Sequence, residues 1–216
     1  MSILGRAALL LALAAALYAI VMALRGRRPG GRALQQSAER AVYGVFALTS
    51  LAIGAMFVAL LSDDFSLRNV AEYTSSTLSA PYKLTALWAS QAGSLLLWAW
   101  VFSGFAALAV WTNRARNREL MPVVVASLMG IAVFFFALLS FVTSPFETLA
   151  QAPAEGRGLN PLLQDIGLAI HPPTLYAGYV GLSVAFSLAM GALLTNQVNP
   201  SFARVMRPWV LGAWVL

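Results

Sequence analysis

The chain has 216 residues, of which 60% are hydrophobic and only 10% charged, and its mean hydropathy is +0.76; a surface with so little charge does not stay hydrated as a soluble domain, so the composition indicates an integral membrane protein. Cysteine is absent, which excludes a disulfide framework, a thiolate nucleophile, an iron–sulfur cluster and any thioether made by the chain's own sulfur. The net charge of +6 raises a nucleic-acid reading, but the basic residues fall in short segments between apolar runs, where membrane topology explains them, and no nucleic acid is expected as a partner.

The first apolar run covers residues 7–24 and, with residues 3–5 beyond Arg6, reaches the roughly 20 residues that cross a bilayer core of about 30 Å. A cleaved signal peptide is the competing reading. Only Arg6 precedes the run, however, while Arg25, Arg27, Arg28 and Arg32 follow it, the reverse of a secretory signal's charge order. A retained helix with its N-terminus outside is expected. Residues 25–40 read as a basic linker, and a second span follows over 41–62, in which Gly44 and Gly54 either admit a neighbouring helix or are incidental. Asp63 and Asp64 end it.

Residues 63–87 are polar and mixed, with Pro81 breaking any helix that begins after Asn69, and Tyr73, Tyr82 and Trp88 marking an approach to the membrane interface. A third span is expected over 88–111, a basic turn with Arg114, Arg116 and Arg118 over 112–120, and a fourth span over 121–143 with Pro122 tolerated in its first turn. A loop over 144–173, a fifth span over 174–195, an inner segment over 196–208 and the start of a sixth apolar run over 209–216 complete the chain. The fold class is therefore all-α: a single polytopic transmembrane helix bundle over residues 1–216, with five full spans and the start of a sixth.

This threading places Arg25, Arg27, Arg28, Arg32, Arg40, Arg114, Arg116, Arg118, Arg204 and Arg207 inside, ten of the 14 Lys plus Arg, and leaves Arg6, Arg68, Lys83 and Arg157 outside. By the positive-inside rule the N-terminus and the 144–173 loop face outward, which in a bacterium is the periplasmic side of the cytoplasmic (inner) membrane. The last run is only about a third of a span. A carboxylate left at the bilayer centre is costly, so the chain is expected to be a piece of a longer or split protein, the alternative being a short segment tucked at the inner interface.

The only histidine, His171, lies in the stretch Asn-Pro-Leu-Leu-Gln-Asp-Ile-Gly-Leu-Ala-Ile-His-Pro-Pro-Thr-Leu-Tyr-Ala-Gly-Tyr-Val-Gly that begins at Asn160. Asn160 suits an N-cap and Pro161 a first helical position, so residues 162–170 read as a short surface helix. Its apolar stripe comprises Leu162, Leu163, Ile166, Ala169 and Ile170, although Leu168 falls off the stripe and Gly167 weakens the helix. Pro172 biases His171 away from helical dihedrals and Pro173 suits the first turn of the next helix. His171 is thus expected where an irregular segment meets a membrane helix. A neutral imidazole there can bind a metal; a lone interfacial histidine that caps or packs a helix end is the competing reading.

Trp88 and Trp111 sit at the two ends of the third span, as an interfacial belt requires. Trp98 and Trp100 lie within it, facing either a flat apolar ligand or a neighbouring helix, and Gln91 and Ser94 form a polar patch near its outer end. No strong acid or base lies deep in any span, which counts against ion-coupled transport, and one histidine without a cysteine or nearby acid makes no nucleophile system.

Two stretches carry a family resemblance. The His-Pro-Pro-Thr-Leu-Tyr-Ala-Gly-Tyr core starting at His171 resembles the haem-handling stretch of the CcmF family of cytochrome c maturation haem lyase subunits, related to the CcmF/CcsA haem-handling proteins. Trp88 to Trp98, Trp-Ala-Ser-Gln-Ala-Gly-Ser-Leu-Leu-Leu-Trp, resembles the same family's Trp-Gly-x-x-Glu-Gly-Ser-Leu-Leu-Leu-Trp motif, preceded as expected by Ala80-Pro81-Tyr82-Lys83. Ala92 stands where the family commonly has Glu, so that acid's role does not carry over. The resemblance implies the N-terminal portion of a haem lyase that receives haem from a periplasmic haem chaperone and helps attach it to Cys-x-x-Cys-His in apocytochrome c, working with the client's thiol-reducing and presenting subunits. It assigns His171 as an axial ligand of haem iron, with Trp88, Gln91, Trp98, Pro172 and Tyr176 as the surrounding pocket.

The family's tryptophan-rich domain, its second periplasmic histidine and the transmembrane histidines that hold haem b are not in this stretch. The second ligand must then come from the remaining part of the lyase, without which residues 1–216 are expected to be inactive. The runner-up reading is a membrane permease or a non-catalytic structural subunit, its helices facing lipid and its histidine merely interfacial. A b-type cytochrome with haem between helices would need paired intramembrane histidines.

Overall fold

The computed structural model describes residues 1–115 and 117–216; Arg116, one of the expected inner arginines, and the side chains of Leu168 and Ser201 lie outside the described residues. Its helices are α1 (Ser2–Arg25), α2 (Arg32–Leu61), α3 (Arg68–Tyr73), α4 (Ala80–Thr85), α5 (Gln91–Asn113), α6 (Met121–Ala137), α7 (Ile166–Leu194) and α8 (Pro200–Val215). A π-helical turn, Leu138–Val142, extends α6, and 3-10 turns lie at Ala86–Ala89 and Pro161–Leu163. Among the described residues, five helical stretches are long and apolar enough to cross a membrane, those of α1, α2, α5, α6 with its π turn, and α7. The expected all-helical, multi-pass membrane fold is the observed one.

The helices pack through small residues, because among membrane helices close backbone approach takes the place of a hydrophobic driving force. On α1 the buried face is Gly5, Ala8, Leu9, Ala12, Ala16, Ala19 and Ala23, at helical spacing, and it lies against α2 and α6. At Gly5 a Cβ would collide with the ring of Phe146, and at Gly181 it would stand 2.8 Å from Ala213 Cβ, so these two glycines set the contacts of α1 with the 144–160 loop and of α7 with α8. Gly44 and Gly54, by contrast, face open space and are incidental.

Three boundaries differ from the sequence reading. The linker expected over 25–40 is short, because α2 already begins at Arg32; Ala, Leu, Gln and Glu over 33–39 are good helix formers and continue the helix into water. The inner segment expected over 196–208 is also largely helical, since α8 starts at Pro200 rather than at Trp209. Proline is well placed at that first position. The third difference concerns α7 and is described with the site.

The aspartates that end α2 do so by a specific device. Asp63 adopts a left-handed φ of 55° just past the helix and Asp64 N–H donates to Ala59 O at 3.0 Å, closing a Schellman turn. Asn196 (φ 56°) and the Gln197 N–H to Ala192 O bond of 2.8 Å end α7 in the same way.

The connections gather at two ends. At one, Gln197 Nε2 donates to Glu119 Oε2 at 2.7 Å, joining the α7–α8 turn to the α5–α6 turn, and Arg32, Arg40, Arg114 and Arg118 line a common cleft. At the other, the 144–160 loop is stitched onto the segment after α2. Arg68 N–H donates to Glu147 O (2.9 Å), Leu149 N–H to Ser66 O (2.9 Å), Arg157 N–H to Ala71 O (2.8 Å) and Gly158 N–H to Thr74 O (2.9 Å), while Arg6 Nε donates to Phe146 O (3.1 Å). The segments that the charge pattern assigns to one side thus share one end of the bundle.

Candidate functional site

The 144–160 loop, α4 and the following 3-10 turn form a cap at the His171 end. Lys83 on α4 is the strongest tie: its Nζ lies 2.6 Å from both Asp63 Oδ1 and Asp63 Oδ2, and its side chain is only 9% exposed. This pair fixes the start of the Ala86–Ala89 turn against the end of α2. Ser90 then caps α5 by accepting from Gly93 N–H at 2.9 Å, and Ser94 Oγ donates to Trp88 O at 2.9 Å, which sets Trp88 at the mouth of the third span.

Opposite Trp88, the chain leaves the cap through Leu159. Asn160 accepts from Leu162 N–H at 3.0 Å, as its capping role requires, but the helix it starts is a single 3-10 turn. Asp165 is extended and accepts from Gly167 N–H at 2.8 Å, starting α7 afresh. From there α7 runs unbroken through Pro172 and Pro173. The separate surface helix expected over 162–170 is therefore replaced by one turn plus the first turns of α7, and His171 lies in the second turn of a helix rather than at a junction. The prolines are tolerated because the carbonyls deprived of a donor, those of Leu168 and Ala169, are at the end of the helix, where water can replace the lost bonds.

His171 is exposed, and no hydrogen bond or ion pair joins its ring to another described residue. It shares a helix face with Leu175, Tyr179, Leu182 and Phe186, at steps of four, four, three and four, and each of these is exposed as well. The opposite face, with Val180, Val184 and Leu188, is buried against α5, α6 and α8. The imidazole thus stands at the end of an apolar stripe that is left exposed among the described residues.

Of the residues expected around it, Trp88 and Pro172 do come together, lining a cavity of about 70 Å³ with Thr85, Ala89, Leu159 and Leu163. That is room for a few water molecules. No macrocycle enters it; a flat ligand at His171 would lie on the exposed face of α7. Tyr176, one turn past Pro172, is half-buried against the core, and Gln91 is exposed. Trp98 lies apart from this cavity: it is buried, stacked on Phe135 with centroids 3.7 Å apart and on Phe102 at 5.0 Å. Trp100 Nε1 donates to Ser50 Oγ at 3.0 Å, so both mid-span tryptophans pack against helices.

The sequence reading missed Leu159 and Leu163 as walls of the cavity and Lys83 as its anchor. Leu159 carried a signal, a single apolar residue between Gly158 and Asn160 in a polar loop. Lys83, between Tyr82 and Leu84, carried another, a cation among apolar neighbours that must find a partner if buried.

Among the described residues no group of three or more His, Cys, Asp or Glu could hold a metal ion. A metal at His171 would need its other ligands from elsewhere, as porphyrin nitrogens provide for haem iron. An exposed imidazole with no partner among the described residues, next to Ile170 and Leu175 and above an apolar stripe, has the chemistry to bind such a group.

A family model described as Cytochrome C assembly protein matches residues 88–216. The chain is 40% identical over 219 residues to the cytochrome c-type biogenesis protein CcmF of Haemophilus influenzae, covering 98% of this chain and 33% of that protein. It is 44% identical over 213 residues to CcmF of Pseudomonas aeruginosa, again over 98% of this chain and 32% of the relative. A solved structure titled Cytochrome c Heme Lyase CcmF superposes with a TM-score of 0.85 at 32% identity, over 99% of this chain and 33% of that one. The chain therefore spans about a third of the length of the relatives it matches.

Proposed function

Since the chain belongs to the cytochrome c assembly protein family, we propose that it is the front portion of a membrane haem lyase for cytochrome c maturation, with His171 as one axial ligand of haem iron. The observation that carries this is the solvent-facing, unpartnered imidazole at the end of an uncovered apolar stripe on α7. The stripe is the surface on which the remaining part of the lyase would pack, and that part would supply the second ligand. Bound haem supplies vinyl groups, across which the thiols of an apocytochrome add without net oxidation or reduction.

This chain's own contribution is placement. Asp165 caps α7 and so fixes where its second turn begins, and Pro172 lines the same small cavity as Trp88, where the helix meets the cap. Leu175 and Tyr179 exclude water from one side of whatever His171 holds. The reading places the His171 end on the periplasmic side of the bacterial inner membrane, because the opposite end gathers the arginines. A periplasmic haem chaperone and apocytochrome c with its thiol-presenting subunits would then approach the cap.

The test is His171→Ala in the complete complex, read by haem absorbance and by covalent haem in a client cytochrome. Both are expected to fall while the amount of protein in the membrane stays the same. Unchanged maturation would favour the reading of a structural subunit or permease.

A further inference from the structure

At the end of the bundle away from His171, Arg32, Arg40, Arg114 and Arg118 line one cleft of about 290 Å³ between the first turns of α2 and the turn after α5. Four guanidiniums around one concavity normally recruit carboxylates. Among the described residues the only acid on the cleft wall is Glu39, and the ion pairs are all elsewhere, at Met1–Asp64, Arg68–Glu147 and Lys83–Asp63. The same wall carries the hydroxyl of Tyr43, which is buried and has no hydrogen-bond partner among the described residues. A buried donor left unmatched is costly unless something fills the site. The cleft thus has an excess of three positive charges and an idle donor, which is the chemistry of an anion site.

The surface below the cleft identifies the anion's carrier. The face of α2 that presents Arg40 continues as the exposed residues Ala47, Leu51 and Val58, deep in a span. On α5, Trp111 is 63% exposed one turn before Arg114, as an indole at a membrane interface would be. A free inorganic anion would use only the arginines, whereas a phospholipid would use the arginines and the apolar track together. From this juxtaposition we propose that the cleft binds the phosphodiester headgroup of an anionic phospholipid such as phosphatidylglycerol, its acyl chains lying along α2 and α5.

The test uses the protein extracted in neutral detergent with any subunit that co-purifies, titrated with phosphatidylglycerol, phosphatidylcholine or inorganic phosphate and read by native mass spectrometry. Phosphatidylglycerol is expected to be retained about tenfold better than phosphatidylcholine, and Arg40→Gln with Arg114→Gln to abolish that preference. Arg118→Gln alone, less of a threat to folding, is expected to weaken it about fivefold. Arg204→Gln with Arg207→Gln, at the same end but outside the cleft, is expected to leave it unchanged. Equal retention of the two lipids, an unaltered preference in Arg118→Gln, or full displacement of phosphatidylglycerol by millimolar phosphate would each overturn the assignment.

Discussion

Replacing Lys83 by methionine removes an ammonium that sits 2.6 Å from both oxygens of Asp63 while its own side chain is 9% exposed. Breaking a fully buried pair by deleting one partner costs about 3–5 kcal/mol, because the remaining charge is stranded. Asp63 is 25% exposed and regains some hydration, so the expected loss is smaller, about 2–3 kcal/mol. For a chain of this size that corresponds to a fall of roughly 5–10 °C in the unfolding midpoint, measured by tryptophan fluorescence in detergent. The double variant Lys83→Met with Asp63→Asn strands no charge and should recover most of the loss, to within about 1 kcal/mol of the parent. Because Lys83 anchors the turn that carries Trp88, the single variant should also loosen the cap and weaken any ligand held at His171. A Lys83→Met midpoint within about 1 °C of the parent would refute the reasoning, since it would mean that the pair offsets no desolvation.

Two further outcomes follow from the cap. Phe146 is fully buried against Gly5, so Phe146→Ala should cost about 3–5 kcal/mol and expose the 144–160 loop to proteolysis, with Gly5→Ala in the same chain recovering part of the loss by filling space. The carboxyl of Glu155 is held below its ordinary value of 4.5, first by the Ser76 hydroxyl and then by the Ser76 and Gly156 amides. Since the folded value is the lower one, the unfolded loop binds the extra proton; the tie is fully present above the ordinary value and is lost as pH falls below it. Limited proteolysis or amide exchange over residues 150–158 should therefore rise on acidification, and Glu155→Gln should show that higher exchange already at neutral pH.

How much of this was legible in the sequence depended on which interaction decided each element. The spans were readable because bilayer thickness imposes one length on all of them, and their alternation assigns the connecting segments to two ends. The helix through Pro172 and Pro173 was misread because the bias of His171 before Pro172 was taken as decisive, whereas Asp165 had already started the helix and the lost bonds fall where water replaces them. The early start of α2 was missed because Arg, Gln and Glu read as a linker by polarity although their helix propensity is high. At the site, Trp88 and Pro172 line one small cavity, whereas Trp98 belongs to a stack with Phe135. Which face of a span meets a neighbour depends on contacts between distant helices, and the pattern of one helix does not carry it. The partner of Lys83 was hidden for the same reason, since Asp63 lies beyond α3 in the chain and only the fold brings it back.

The central claim is that His171 supplies a bond to haem iron. It is tested most directly by the visible spectrum of the complete complex carrying His171→Gly, before and after addition of free imidazole. The account predicts that the haem signal of this site is lost at unchanged protein level and returns with imidazole, which restores the nitrogen without the helix attachment. A spectrum identical to that of the parent, unaffected by imidazole, would contradict it.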